Sequence, residues 1–212
     1  MIYTEIFVFN PFEENTILIY DDTRECVIID AGCENTSEEN ELITFIERFN
    51  LKPVRLLNTH CHIDHIIGNL FIKEKYGLSP ETHKLEEPLL NGAVEHARLF
   101  GIEIPQPPAI SNYLTEGDTI KFGKSELKIL CLPGHSPGSL AFYSEKQKFV
   151  LSGDVLFKGS IGRTDLPGGD FDQLIKNIKL KLFTLDGDMR VIPGHGPETT
   201  ISLEKRSNPF FK

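Results

Sequence analysis

This 212-residue sequence predicts an α/β sandwich of two β-sheets flanked by helices, and three observations point to it. Short runs rich in Val, Ile, Leu and Phe alternate with longer stretches of helical period, so strands and helices interleave along the chain. Several neighbouring strand-like runs carry the turn signals of antiparallel hairpins. Three runs also end in glycine followed by histidine or aspartate, so separate strand ends present side chains of one chemical kind.

The elements follow in order. Strands are expected near Glu5–Phe9, Thr16–Tyr20 and Cys26–Asp30, then a helix over Ser37–Phe49 with Ser37 as its N-cap and Asn40 and Glu41 in its first turn. Leu51–Asn58 reads as a buried strand. Helices Ile66–Tyr76 and Glu86–Phe100 are each followed by a glycine, Gly77 and Gly101, where a helix end accepts a left-handed residue. Pro105, Pro107 and Pro108 close the second of these, and the stretch from Glu86 to Gly117 reads either as a lid or as a packed excursion. His83 and His96, within it or beside it, read as solvent-facing. Strands are expected again near Thr119–Phe122, Glu126–Leu132, Ser139–Tyr143, Phe149–Ser152 and Arg190–Ile192. Between the last two, Phe171–Leu185 is an amphipathic helix with Leu174, Ile175, Ile178, Leu182 and Phe183 inward.

Composition bounds the function. With 40% apolar and 25% charged residues, the chain suits one sizeable domain over residues 1–212, without repeat or linker. A net charge of −9 argues against a nucleic-acid groove, and the lysines of 176–181 read as the wet side of the last helix. Met1-Ile2-Tyr3-Thr4-Glu5 lacks a basic segment leading into a hydrophobic core, and no run reaches membrane-spanning length, so no membrane and a cytoplasmic address are expected. Cysteines 26, 33, 61 and 131 form no CxxC pair and read as free buried thiols in a reducing compartment.

The densest chemistry lies in His60-Cys61-His62-Ile63-Asp64-His65, where three imidazoles and a carboxylate fall within six residues. Core packing has no reason to assemble that set. One tetrahedral ion cannot readily take all four donors from so short a loop, whereas two neighbouring ions can share them. A helical metalloprotease site would instead place two His four residues apart with a Glu between. Here the run Val54-Arg55-Leu56-Leu57-Asn58-Thr59 looks like a buried strand, so the ligands are expected to leave its end and wrap through a loop. The same grammar recurs before His135, Asp154 and His195, preceded by Gly134, Gly153 and Gly194, where glycine lets the chain turn sharply at a strand end. Seven donors then point to a pair of metal ions in one pocket. Cys61, between two ligands, should face away from them by strand-like alternation.

These residues carry a family resemblance. The chain resembles metallo-β-lactamase-fold hydrolases, αββα sandwiches of two mixed sheets flanked by helices, and within them the short glyoxalase II-like proteins, hydroxyacylglutathione hydrolases. The resemblance runs from the Asn15 region to Asn208-Pro209-Phe210 and is most specific at Gly159-Ser160-Ile161-Gly162-Arg163-Thr164-Asp165-Leu166-Pro167-Gly168-Gly169-Asp170 and Gly194-His195-Gly196-Pro197-Glu198. It implies that His60, His62 and His135 hold a first ion, that Asp64, His65 and His195 hold a second, and that Asp154 bridges them. It also implies hydrolysis of an acyl thioester or related ester by a metal-bridging hydroxide, with Asp64 and Asp154 as the acidic ligands at the reacting centre.

Zinc is the first expectation for both ions, with iron or manganese as alternatives. Asp30, at the end of Glu25-Cys26-Val27-Ile28-Ile29, is placed to accept a hydrogen bond from a ligand imidazole, and Thr59 is a candidate hydroxyl beside the first ligand. Arg163 either meets a substrate carboxylate or locks its own loop through Asp165 or Asp170. Only a short tail follows His195, so the helical domain with which full-length glyoxalase II grips glutathione is not expected. A mononuclear iron persulfide dioxygenase built on His60, His135 and Asp154 is the alternative from another reaction class. A lactonase or β-lactamase on the dinuclear site is a further one. Either a monomer or a homodimer fits.

Overall fold

Period-two burial and backbone pairing divide the chain into elements that a computed structural model describes over residues 1–212. The fold class is the expected one: α/β, with two mixed β-sheets and flanking helices. Contacts group the residues into two compact units, Met1–Leu114 with Lys121–Ser125, and Thr115–Ile120 with Glu126–Lys212.

The first unit begins with an antiparallel meander of β1 (Ile2–Phe9), β2 (Glu14–Asp21) and β3 (Glu25–Ile29). Helix α1 (Thr36–Arg48) crosses over to β4 (Lys52–Leu57), which pairs parallel with β3. Its N-cap is Asn35, whose side chain accepts from the Ser37 and Glu38 N–H groups, so the cap lies two residues before the expected Ser37. Short helices α2 (Ile63–Ile66) and α3 (Asn69–Tyr76) follow, then β5 (Pro80–Thr82), α4 (Glu87–Asn91), α5 (Ala93–Leu99) and β6 (Asn112–Tyr113), completing a sheet ordered β1-β2-β3-β4-β5-β6. Leu42 and Ile46 of α1 pack with Phe7, Phe9, Leu18, Ile28, Leu56 and Ile72 into this unit's main core.

Two expected helices are each divided. Ile66–Tyr76 breaks at Gly68, where a Cβ would stand 2.5 Å from Cys33 Sγ and 2.8 Å from the Ala31 carbonyl. Glu86–Phe100 breaks at Gly92, the shared boundary of α4 and α5. As expected, Gly77 and Gly101 close their helices with φ of 74° and 73°.

In the second unit, β8 (Ser125–Cys131), β9 (Leu140–Ser144) and β10 (Phe149–Gly153) are antiparallel neighbours, and β10 pairs parallel with β13 (Arg190–Pro193). Strands β7 (Thr119–Phe122) and β14 (Thr199–Thr200) occupy the edges of the same sheet. A small hairpin of β11 (Leu156–Phe157) and β12 (Ser160–Ile161), helix α6 (Phe171–Leu180) and helix α7 (Ile201–Ser207) complete the unit. The helix expected over Phe171–Leu185 ends at Leu180, and Leu182 and Phe183 lie on a 3-10 turn, Leu182–Thr184, yet Leu174, Ile178, Leu182 and Phe183 all bury against Leu132, Ala141, Val150 and Val191 as expected. No helix is long and apolar enough to cross a membrane.

Strand direction now places the chemistry. Because β8 and β10 both run antiparallel to β9, and β13 runs parallel to β10, the C-terminal ends of β8, β10 and β13 lie on one edge of the second sheet. Those ends lead into His135, Asp154 and His195. In the first sheet β3 and β4 are parallel, so Asp30 and the His60 loop likewise leave from one edge.

Candidate metal centre

Four of the seven predicted ligands belong to the first unit. His60 follows β4, His62 is the N-cap residue of α2, and Asp64 and His65 sit on that single turn of helix, where a loop had been expected. The His60 ring lies 4.7 Å from that of His62 and 4.1 Å from that of His65, so three imidazoles gather within one turn of chain. All three are buried, and Asp64 is partly so.

Hydrogen bonds fix which nitrogen each ring offers. Asp30 accepts from the Thr59 N–H at 2.7 Å, the Thr59 hydroxyl at 2.6 Å and His65 Nδ1–H at 3.1 Å. With its own proton committed to Asp30, the Thr59 oxygen accepts from His60 Nδ1–H at 3.0 Å. His60 and His65 therefore keep their lone pairs on Nε2, the tautomer a metal-binding imidazole needs. Asp30, His60 and His65 bring donor atoms within 4.8 Å of one another. The carboxylate of Asp30 is already engaged by three donors, so it serves here as the partner that orients the imidazole. It does so from a left-handed backbone, φ 52°, which ends β3 one residue before the expected limit.

The remaining three ligands belong to the second unit. His135 Nδ1–H donates to the Arg163 carbonyl at 2.8 Å, again leaving Nε2 as the lone-pair nitrogen. Asp154 Oδ2 lies 3.6 Å from Nε2 of His135 and 3.6 Å from Nε2 of His195. In the first unit, His65 Nε2 lies 3.5 Å from Asp64 Oδ2. These separations exceed hydrogen-bond length. They match instead the edge of a zinc tetrahedron, about 3.4 Å for ligands about 2.1 Å from the ion. Within each unit, the nitrogen and carboxylate-oxygen donors at this spacing suit divalent cations.

Arg163 contributes to this arrangement through its backbone. Its guanidinium forms a fork with Asp165, at 2.7 and 2.8 Å, which holds the Asp165 carboxyl down at about 2. Gly162 beside it leaves room that no side chain could share, since a Cβ there would stand 1.8 Å from the Asp154 carbonyl oxygen and 3.0 Å from His135 Nδ1.

Cys61 faces the opposite way from its histidine neighbours. It is buried among Ile63, Ile66, Leu90, Ala93, Ala97 and Ile104, and that burial pushes its thiol well above the ordinary range. The segment after Glu86 thus packs behind the ligand loop, and its lower end is tied there by Glu86, whose Oε2 accepts from the Cys61 N–H at 2.8 Å. His83 caps the turn Lys84–Glu86 by accepting from the Leu85 N–H, and His96 packs against Phe100.

Sequence reasoning missed Asn10, Glu14, Asn58 and Glu86. The Glu14 carboxyl is wholly buried, 3.8 Å from His65 Nδ1, and accepts from the Thr16 hydroxyl. Burial pushes it well above the usual glutamate range. Each of the four lies far from the ligand motif in sequence or carries no spacing of its own, so only the folded chain reveals it.

Comparison with known proteins gives the family and the fold. A sequence model of the metallo-beta-lactamase superfamily matches residues 9–195. The chain is 39% identical to hydroxyacylglutathione hydrolase GloC of Haemophilus influenzae, over 98% of this chain and 97% of that one. It is 38% identical to the probable metallo-hydrolase YqgX of Bacillus subtilis, over 95% and 93%. Among solved structures, the B3 metallo-beta-lactamase BLEG-1 superposes with a TM-score of 0.91 at 35% identity, covering 99% of this chain and 100% of that one. TTHA1623, solved in a di-iron-bound form, superposes with a TM-score of 0.88 at 40% identity, covering 97% and 99%.

Proposed function

We propose that this chain, which belongs to the metallo-β-lactamase superfamily of hydrolases, is a dinuclear thioesterase of the hydroxyacylglutathione hydrolase kind. The observation that carries the reading is the placement of Asp154 Oδ2 at 3.6 Å from Nε2 of both His135 and His195, as for a carboxylate shared by two neighbouring centres. On this reading His60, His62 and His135 would hold one ion and Asp64, His65 and His195 the other. When bound, a pair of divalent ions supplies Lewis acidity, bringing the pKa of water to roughly 7 and polarising a carbonyl.

The chain's own residues prepare that chemistry. Asp64 and Asp154 offset part of the cationic charge and leave the centre electrophilic. Asp30, Thr59 and the Arg163 carbonyl hold the protons of His65, His60 and His135 on Nδ1, so these three rings turn no proton toward the reacting atoms. No cysteine or serine nucleophile is required, and Cys61 is turned into the apolar core behind the loop. The Arg163 guanidinium is occupied by Asp165, which leaves recognition of the acyl and thiol portions to other groups. Zinc is the metal the donors suit first, and the di-iron form of a structure 40% identical keeps iron in the same reading.

The test is a panel of acyl thioesters, hydroxyacyl-glutathione among them, run on protein of measured metal content, with released thiol read by a thiol-reactive dye. Turnover with two ions per chain is expected. Protein holding two ions but inert on every thioester would overturn the assignment. A second reading, hydrolysis of a β-lactam amide, is favoured by the likeness to BLEG-1. A chromogenic cephalosporin in the same panel separates the two.

A further inference from the structure

Helix α2 is one turn long, and a helix so short cannot satisfy its own last carbonyls. Two of those carbonyls belong to Asp64 and His65, the adjacent residues proposed for the second ion. Both are capped by asparagine amides from elsewhere in the first unit. Asn10 Nδ2 donates to the Asp64 carbonyl at 3.0 Å and to the Gly32 carbonyl at 2.9 Å. Asn58 Nδ2 donates to the His65 carbonyl at 3.0 Å.

The orientation of each amide is set by its other end. Asn10 Oδ1 accepts from the Phe12 N–H at 3.0 Å, while the Asn10 backbone N–H donates to Glu38 Oε1 at 3.0 Å. Asn58 Oδ1 accepts from Asn69 Nδ2 at 2.9 Å. Gly32 lets Asn10 come so close, since a Cβ there would stand 2.8 Å from Asn10 Nδ2 and 2.9 Å from the Asp64 carbonyl oxygen. The left-handed backbone of Asn10, φ 54°, aims the amide from the β1–β2 turn.

We infer that Asn10 and Asn58 are positioning residues that set the affinity of the second ion separately from the first. They act on the backbone of Asp64 and His65 and make no side-chain hydrogen bond to His60 or His62. The inference rests on the dinuclear reading above, and through Asn10 it places part of the control of one half of the centre in a turn that carries no proposed ligand.

Asn10→Asp is the informative variant. It keeps the size, tolerates the left-handed backbone and retains the oxygen that Phe12 uses, but turns an acceptor toward two carbonyls. Metal-free protein titrated with zinc alone, in competition with a chromophoric chelator, should show two binding steps in the wild type. In Asn10→Asp one step should weaken about tenfold or more while the other is unchanged, and in an Asp64→Ala background the substitution should add nothing. Equal weakening of both steps, no weakening, or a further loss in the Asp64→Ala background would overturn the inference. A wild type that binds one ion would remove the dinuclear reading itself and this inference with it. If Asn10→Asp does not fold, Asn10→Gly removes the amide at a backbone angle glycine adopts freely, and the same outcomes decide.

Discussion

Replacing Asp30 by Asn tests the ordering of the ligand imidazoles most directly. Asparagine tolerates the left-handed φ of 52° at this position, so the backbone carries no new strain and the effect isolates hydrogen bonding. The carboxylate now serves three buried donors with two oxygens, and the amide has only one oxygen to offer. Losing one charge-assisted hydrogen bond to a buried donor costs about 1.5–3 kcal/mol, so the metal-free protein should lose stability of that order in urea denaturation. An amide nitrogen facing His65 Nδ1 also drives the imidazole proton to Nε2, the nitrogen needed for the metal. Metal affinity should fall about 10–100-fold, equivalent to about 1.4–2.8 kcal/mol, in competition with a chelator. Unchanged affinity alongside reduced stability would reduce Asp30 to a turn residue, and the account of how His65 is oriented would fail.

Three further outcomes follow from the same geometry. Asp154→Ala, which removes the oxygen lying between His135 and His195, should strip at least one ion and abolish turnover, and wild-type turnover would show the bridge misassigned. Cys61→Ala should leave turnover and metal content intact at a stability cost of about 1 kcal/mol, because the thiol packs among Ile63, Ile66 and Leu90; a dead enzyme with full metal would give Cys61 a chemical role. Arg163→Ala should release the Asp165 carboxyl from about 2 back toward its ordinary 3.8, read by NMR titration, with His135 still held by the residue 163 carbonyl. Because the folded value is depressed, the contribution of that pair is full above about pH 4 and is lost as pH falls through about 2.

The legible part of this chain was its long apolar strands and the residues at their ends. Val150 and Leu151 of β10, or Val191 and Ile192 of β13, announce a buried strand from side chains alone, and the glycine after each announces the turn that delivers Asp154 or His195. The short pieces were illegible for a physical reason. Pro80–Thr82 and Asn112–Tyr113 are strands only because β4 and β5 offer them parallel partners, and neither carries an alternation of its own. The break at Gly68 depends on Cys33 and Ala31, thirty-odd residues away. Asp30 could be singled out because an acid ends a strand-like run, whereas Asn10 and Asn58 act through backbone carbonyls, an interaction that leaves no spacing in the sequence.

The two faces of the His60–Ile66 loop have a consequence for how quickly the protein is loaded. Cys61, Ile63 and Ile66 are anchored in an apolar cluster with Leu90, Ala93, Ala97 and Ile104. On the dinuclear reading, the histidines beside them in this loop are held by that packing before an ion arrives, so little of the loop has to be ordered on binding. Association should thus be rapid and carry little conformational entropy penalty, and withdrawal of the ions by a chelator should leave amide exchange in this loop slow.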